Sequence, residues 1–279
     1  MQWVCGNRVL DLSKPLIMGI VNVTPDSFSD GGQHNSTASA IGHAMKLIAE
    51  GADILDIGGE STRPGAQDVS VDEELNRVIP VVEKLAQTGA IISVDTSKPE
   101  VMLQAMAAGA HIINDIRALQ LPGALEAAAS TNAGICLMHM QGAPRTMQQA
   151  PHYENLLSEV EAFLLERAQA CEAAGIARDR LCLDYGFCFG KTVEQNFSLL
   201  ANTGYFCRLP YPVLVGVSRK SSLGAVTGRG VNERMVASVA AALYAVQEGA
   251  HILRVHDVAA TRDAVTIWLA TKCQAINFQ

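Results

Sequence analysis

A barrel of eight β/α units, an α/β fold of the (β/α)8 TIM-barrel class with a short N-terminal β-hairpin, is what this sequence predicts. Three observations carry that expectation. Eight short apolar runs recur along the chain, amphipathic helical stretches lie between them, and the runs are continuously apolar rather than alternating. Strands buried on both faces of a parallel sheet read in this way, and regular strand–helix alternation is how such sheets are connected.

Taken in order, Trp3 to Leu12 holds a Gly6-Asn7 turn between two β-prone segments, read as a hairpin that plugs the bottom of the barrel. The eight strands are expected at Ile17–Val21, Ile54–Ile57, Ile91–Val94, Ile112–Ile113, Ile135–Met138, Leu181–Leu183, Val213–Val217 and Ile252–Val255. Between them, Ile41, Ala44, Met45 and Ile48 fall at helical spacing, as do Val236, Val239, Ala240 and Leu243. Leu157, Val160, Leu164, Ala168 and Cys171 line one face of a longer helix. Gly51, Gly109 and Gly249 each close a helical stretch before a strand, the place of a C-terminal helix cap. A doubly wound open sheet is the competing architecture, but no GxGxxG follows the first run. With no linker and no low-complexity segment, residues 1–279 are read as one domain.

Composition narrows the function. Apolar residues make up 49% of the chain and the formal net charge is −7, so non-specific nucleic-acid binding is excluded and any anion must meet a local basic cluster. The seven cysteines include no CxxC pair and read as reduced thiols. No apolar run approaches the roughly 18 residues of a membrane span, and no leader pattern opens the chain. The expectation is a cytoplasmic protein with no membrane partner.

Chemistry gathers where the apolar runs end. The first ends at Asn22, the second leads to Gly58-Gly59-Glu60-Ser61-Thr62-Arg63, and the next two end at Asp95 and at Asn114-Asp115. The remaining four lead to His139, to Asp184, to Ser218-Arg219-Lys220-Ser221, and to Arg254 with His256. In a barrel these ends ring one cavity, and that face carries the active site. Asp, Asn and Ser also cap helices, but Lys, Arg and His do so poorly. Asp95, Asn114, Asp184 and Lys220 form an acceptor-rich half suited to a flat heterocycle with an amidine-like edge and a carbonyl. Arg63, Arg254 and His256 form a cationic half suited to a diphosphate. Two long loops, Val23–Thr37 and Gly58–Asp72, are read as lids over the cavity.

Two long motifs make these features specific. Ile20 to Gly32, IVNVTPDSFSDGG, and Asp56 to Ala66, DIGGESTRPGA, resemble the two signatures of the dihydropteroate synthase family. The resemblance continues through Ser93-Val94-Asp95-Thr96, Ile113-Asn114-Asp115, Met138 to Gly142, Ser218 to Ser221 and Arg254 to Asp257, covers nearly the whole chain, and is to the stand-alone bacterial form. It implies condensation of 6-hydroxymethyl-7,8-dihydropterin diphosphate with p-aminobenzoate, giving 7,8-dihydropteroate and diphosphate. It further implies that Asp95, Asn114, Asp184 and Lys220 hold the pterin, and that Asn22, Arg63, Arg254 and His256 hold the diphosphate, Asn22 also touching Mg²⁺. Thr62, Phe28, Pro64, Phe189 and Ser221 would frame p-aminobenzoate, the pocket sulfonamides compete for, and the family is typically a homodimer joined through its last helices. The implied route breaks the C–O bond to diphosphate first, leaving a pterin-stabilised cation for the arylamine. It needs charge neutralisation and exclusion of water rather than a nucleophilic triad.

One segment departs from the family. Where the pattern reads Asp-Pro-Gly-Phe-Gly-Phe-Gly-Lys, this chain has Asp184-Tyr185-Gly186-Phe187-Cys188-Phe189-Gly190-Lys191. If residue 188 takes a positive φ, Cys188 is strained and the turn can shift on Asp184 and Phe189; if φ is negative, both changes are silent. Three other functions compete. A pterin-binding corrinoid methyltransferase has no use for Arg63 and Arg254; a Schiff-base lyase would use Lys220 beside Arg219; a non-catalytic pterin-binding protein would bind without turnover.

Overall fold

The hairpin forms where the sequence places it: β1 (Gln2–Cys5) and β2 (Arg8–Asp11) pair antiparallel across a turn in which Gly6 takes φ 62°. The computed structural model describes residues 1–23, 33–61, 68–142 and 146–276. Eight further strands follow: β3 (Leu16–Asn22), β4 (Ile54–Gly58), β5 (Ile91–Asp95), β6 (Ile112–Asp115), β7 (Gly134–Met138), β8 (Leu181–Asp184), β9 (Leu214–Val215) and β10 (Ile252–Val255). The helices are α1 (Gln33–Ala49), α2 (Val71–Ala86), α3 (Pro99–Ala107), α4 (Ala124–Ala129), α5 (Leu156–Ala173), α6 (Val193–Ala201), α7 (Thr203–Phe206), α8 (Ser221–Thr227), α9 (Met235–Gln247) and α10 (Val258–Ile276).

The eight strands are parallel, in the order β8-β7-β6-β5-β4-β3-β10-β9. A single parallel bridge between Leu183 and Val213 brings the two ends together, so the barrel is nearly closed. The seam is the weakest ladder. The expected run Val213–Val217 supplies only the two residues of β9, whose partners on β10 are Ile252 and Leu253.

Side chains alternate along each strand between the barrel interior and the helical layer. Ile17, Val21, Leu55, Ile57, Ile92, Val94 and Ile113 join the outer core beneath the helices. Met18, Ile54, Ile112, Cys136, Cys182, Leu214 and Ile252 fill the bottom of the interior, together with Trp3, Cys5, Leu10 and Leu12 of the hairpin region. The plug is fitted tightly: a Cβ on Gly134 would stand 2.5 Å from Cys5 Sγ. Trp3 satisfies its one donor on Arg180 O at 2.9 Å.

Gly51, Gly109 and Gly249 take φ of 94°, 109° and 103° at helix ends, as expected of cap glycines. The α5 stripe is buried at Val160, Leu164, Ala168 and Cys171. Two helical faces differ from the sequence reading. On α1 the buried residues include Ala40, Ala44 and Leu47, while Met45 is exposed. On α9 the face through Val236 points outward, with Val236 74% exposed, and Ser238, Ala241, Ala242 and Ala245 pack inward instead. An alanine-rich helix is apolar on several faces, so spacing alone did not choose the buried one.

Candidate active site

Each strand delivers its last inward residue to the C-terminal mouth. Asn22 ends β3, Asp95 ends β5, Asn114 lies near the end of β6, and Asp184 ends β8. Lys220 stands just before α8, and Arg254 and His256 lie on and just beyond β10. The described part of the site is a charge cluster. Arg254 Nε meets Asp56 Oδ2 at 2.6 Å and its Nη2 meets Asp95 Oδ2 at 2.6 Å. Asn114 Nδ2 donates to the same Asp56 oxygen at 3.1 Å. Gly186 N–H donates to Asp184 Oδ1 at 2.7 Å. Lys220 Nζ donates to Phe187 O at 2.5 Å and sits 4.6 Å above the centre of the Phe189 ring. His256 takes Ser218 Oγ at both its backbone N, 3.1 Å, and its Nδ1, 3.0 Å.

Burial sets the protonation behaviour. Desolvation raises Asp95 to about 7, aided by Asp56, Glu74 and Asp115 and opposed by Arg254. Asp184 is also raised by burial, against Lys220, the Gly186 N–H, Lys191 and Arg254. Lys220 is lowered by burial, the carboxylates opposing. For Arg254 burial acts downward but is outweighed by Asp56 and Asp95, so the guanidinium stays charged. The result is a desolvated pocket of acceptors and fixed cations that can grip a polar heterocycle through N–H and carbonyl groups.

Asp95, Asn114, Asp184 and Lys220 are thus brought together as the sequence suggests. Arg254 lies among these acceptors, spanned by two carboxylates. Phe189 is 9% exposed beneath Lys220, and Ser221 Oγ lies 3.8 Å from Cys188 Sγ. Phe28, Thr62, Arg63 and Pro64, with residues 24–32 and 62–67 of the expected lid loops, lie outside the described residues, and α1 and α2 begin inside those expected loops, at Gln33 and Val71. Arg219 turns away from Lys220 and pairs with Asp257 through both Nε, 3.0 Å, and Nη2, 2.5 Å. That leaves the Schiff-base reading without its activating cation.

Residue 188 does take a positive φ, 69°, so the strained alternative is the one realised. Tyr185 faces the outer core, fully buried, with its hydroxyl 3.1 Å from Thr203 Oγ1 and its ring packed on Phe206. The side chain that stands in proline's place therefore fills the core.

Sequence reasoning missed Asp56, Ser93 and Lys191. Asp56 and Ser93 are register partners on β4 and β5, both fully buried, and Asp56 Oδ1 and Ser93 Oγ find no hydrogen-bond partner among the described residues. The available signal was a charge in the middle of the apolar run Ile54–Ile57.

A barrel whose mouth gathers buried carboxylates around a fixed guanidinium defines a binder of a polar heterocycle, and residues 18–256 match the family model described as pterin binding enzyme. The dihydropteroate synthase of Escherichia coli (strain K12) is 57% identical over 263 residues, 94% of this chain and 93% of that protein. The Yersinia pestis dihydropteroate synthase, solved with a sulfonamide drug, superposes with a TM-score of 0.93 at 51% identity, covering 98% of this chain and 100% of that one. The Xanthomonas albilineans dihydropteroate synthase in complex with 7,8-dihydropteroate gives a TM-score of 0.89 at 52% identity, covering 98% and 99%. This chain belongs to the dihydropteroate synthase family.

Proposed function

We propose that this protein joins 6-hydroxymethyl-7,8-dihydropterin diphosphate to p-aminobenzoate, releasing 7,8-dihydropteroate and diphosphate. The observation that carries the reading is the buried Asp95–Arg254–Asp56–Asn114 cluster facing Asp184 and Lys220 across the mouth of the barrel. Asp95, Asn114, Asp184 and Lys220 hold the pterin by its N–H and carbonyl edge. Asn22, Arg63 and His256 bind the diphosphate, and Arg254, neutralised on its inner edge by Asp56 and Asp95, orients both. Phe28, Thr62, Pro64, Phe189 and Ser221 frame p-aminobenzoate and the sulfonamides that compete with it.

Departure of diphosphate leaves a pterin-centred cation. The carboxylates of Asp95 and Asp184 stabilise that charge, and the aromatic wall at Phe189 limits attack by water. Mg²⁺ would neutralise the leaving diphosphate. Asn22 offers one amide oxygen, and among the described residues no group of three metal-ligating side chains gathers, a donor set that fits an ion carried in on substrate oxygens and water. The family's homodimer fits the apolar outer surface at Val226, Met235, Val236 and Tyr244 on α8 and α9 and Ile267 on α10. Among the described residues no helix is long and apolar enough to cross a membrane, and six cysteines are free thiols, in keeping with the cytoplasm. The test is a coupled assay for diphosphate release with Mg²⁺, with and without p-aminobenzoate. Folded protein that forms no dihydropteroate at any substrate concentration refutes the reading.

A further inference from the structure

Lys191 is 2% exposed and takes no part in the chemistry above. An ammonium so deep is costly unless each proton finds an acceptor, and burial pushes Lys191 down to about 7 against the pull of Asp184. Its Nζ donates to Gly186 O at 2.8 Å, to Phe189 O at 2.9 Å and to His139 Nδ1 at 2.9 Å. Burial pushes His139 down to about 2, so its ring is neutral and offers Nδ1 as an acceptor. The three acceptors come from two directions, the end of β7 and the turn that follows β8.

That turn has little backbone ladder to hold it. Gly186, Cys188 and Gly190 alternate in the left-handed region at φ of 69°, 69° and 67°. Four successive carbonyls are each held by a side chain: those of Gly186 and Phe189 by Lys191, that of Phe187 by Lys220, and that of Cys188 by Gln148. The turn lies hard against the β7 connection, where a Cβ on Gly186 would stand 1.8 Å from His139 O. Asn196 of α6 accepts from Cys188 N at 2.6 Å and donates to Lys191 O at 3.3 Å, closing the frame from behind.

We infer that Lys191 is a positioning residue for the reaction: an internal hydrogen-bond donor that fixes the Gly186–Phe189 turn, and through it aims Asp184 at the pterin and Phe189 at p-aminobenzoate. The inference rests on the reading of the site given under Proposed function. Two links join the turn to the substrates. Gly186 N–H orients the Asp184 carboxylate at 2.7 Å, and Phe189 follows two residues after Phe187, whose carbonyl anchors Lys220. Below about pH 7 Lys191 also serves as a counter-charge. Asp184 faces Lys220 from the β9–α8 connection, Arg254 from β10 and Lys191 from beyond the turn, while Lys191 faces Asp184, Lys220, Cys188 and His139.

Lys191→Met and Lys191→Gln separate the two actions, because glutamine keeps two N–H donors and loses the charge. For folded Lys191→Met we expect binding of 6-hydroxymethylpterin to weaken about tenfold, and the KM for p-aminobenzoate to rise about fivefold. The part of the acid limb that Asp184 sets should move to higher pH, since Asp184 has lost a cation, while the rise that Asp95 sets toward 7 stays. Lys191→Gln should recover most of the p-aminobenzoate KM while keeping the displaced acid limb. Val82→Ala, in the outer core on α2, controls for destabilisation alone and should move neither constant. Pterin affinity and KM within about twofold of the unaltered protein in both variants, with an unmoved acid limb, overturn the inference. So does an equal effect from Val82→Ala. Failure of both lysine variants to fold assigns Lys191 to core stability and overturns it as well. If the unaltered protein forms no product, the functional reading fails, while pterin binding still decides the role of Lys191.

Discussion

Replacing Cys188 by glycine should stabilise the fold. The native φ of 69° lies where a side chain costs about 1–3 kcal/mol. Glycine removes that cost and returns about 0.5–1 kcal/mol through the greater freedom of the unfolded chain. The thiol gives up little: Sγ lies 3.1 Å from Ser222 Oγ and 3.8 Å from Ser221 Oγ, weak hydrogen bonds from a half-exposed side chain. The bonds from Cys188 N to Asn196 and from Gln148 to Cys188 O involve its backbone alone and survive the change. The net gain is about 1 kcal/mol, which moves the thermal midpoint up by about 2–4 °C in a chain of this size. Urea denaturation should show a higher midpoint at an unchanged slope. Cys188→Ala keeps the strained Cβ and loses only the thiol, so it should match the unaltered protein or fall slightly below it. A glycine variant no more stable than the alanine variant would refute the strain argument.

Arg254→Ala leaves Asp56 and Asp95 without their shared cation, so it should cost about 3–5 kcal/mol of stability; calorimetric titration should find free pterin and pterin diphosphate both weakened, and loss confined to the diphosphate form would return Arg254 to a purely phosphate-binding role. Because Asp95 is raised to about 7 and must be ionised to accept a pterin N–H, affinity should climb as pH rises toward 7 and level off above it; Asp95→Asn should flatten that part of the profile. The sign for stability is opposite: the folded state holds this proton more tightly than the unfolded, so the contribution is full below about 4 and is lost as pH rises through about 7. Trp3→Ala should cost about 3–5 kcal/mol, read from urea melts, because the indole is fully buried in the barrel floor.

The barrel was legible because parallel strands buried on both faces leave unbroken apolar runs, and each run ended in the residue that the fold carries to the mouth. Asp95, Asn114 and Asp184 were found in this way. Asp56 was not, since it lies inside a run instead of at its end, and only the folded contact with Arg254 Nε reveals that it underlies the guanidinium. The same contact explains why Arg254 sits with the acceptors: its neighbours are set by strands far from it in sequence. Lys191 escaped notice because its partners are backbone carbonyls, which carry no residue-type signature. The inward face of α9 was misjudged because Val236, Val239, Ala240 and Leu243 satisfy helical spacing as well as the alanines and Ser238 that are buried. The sign of φ at Cys188 was left open by its neighbours, and the turn decided it.

The N-terminal plug imposes an order on folding. Trp3 precedes all eight barrel strands in the chain, yet its indole donates to Arg180 O, 177 positions later, and Cys5 abuts Gly134 on β7. The floor that receives the hairpin also draws on Cys136, Cys182, Leu214 and Ile252, from β7 to β10. On a ribosome the Trp3 side chain must therefore wait, exposed, until most of the barrel has emerged. Contacts of such sequence separation form slowly, and the interval before they form is when a half-built barrel is open to association with its neighbours.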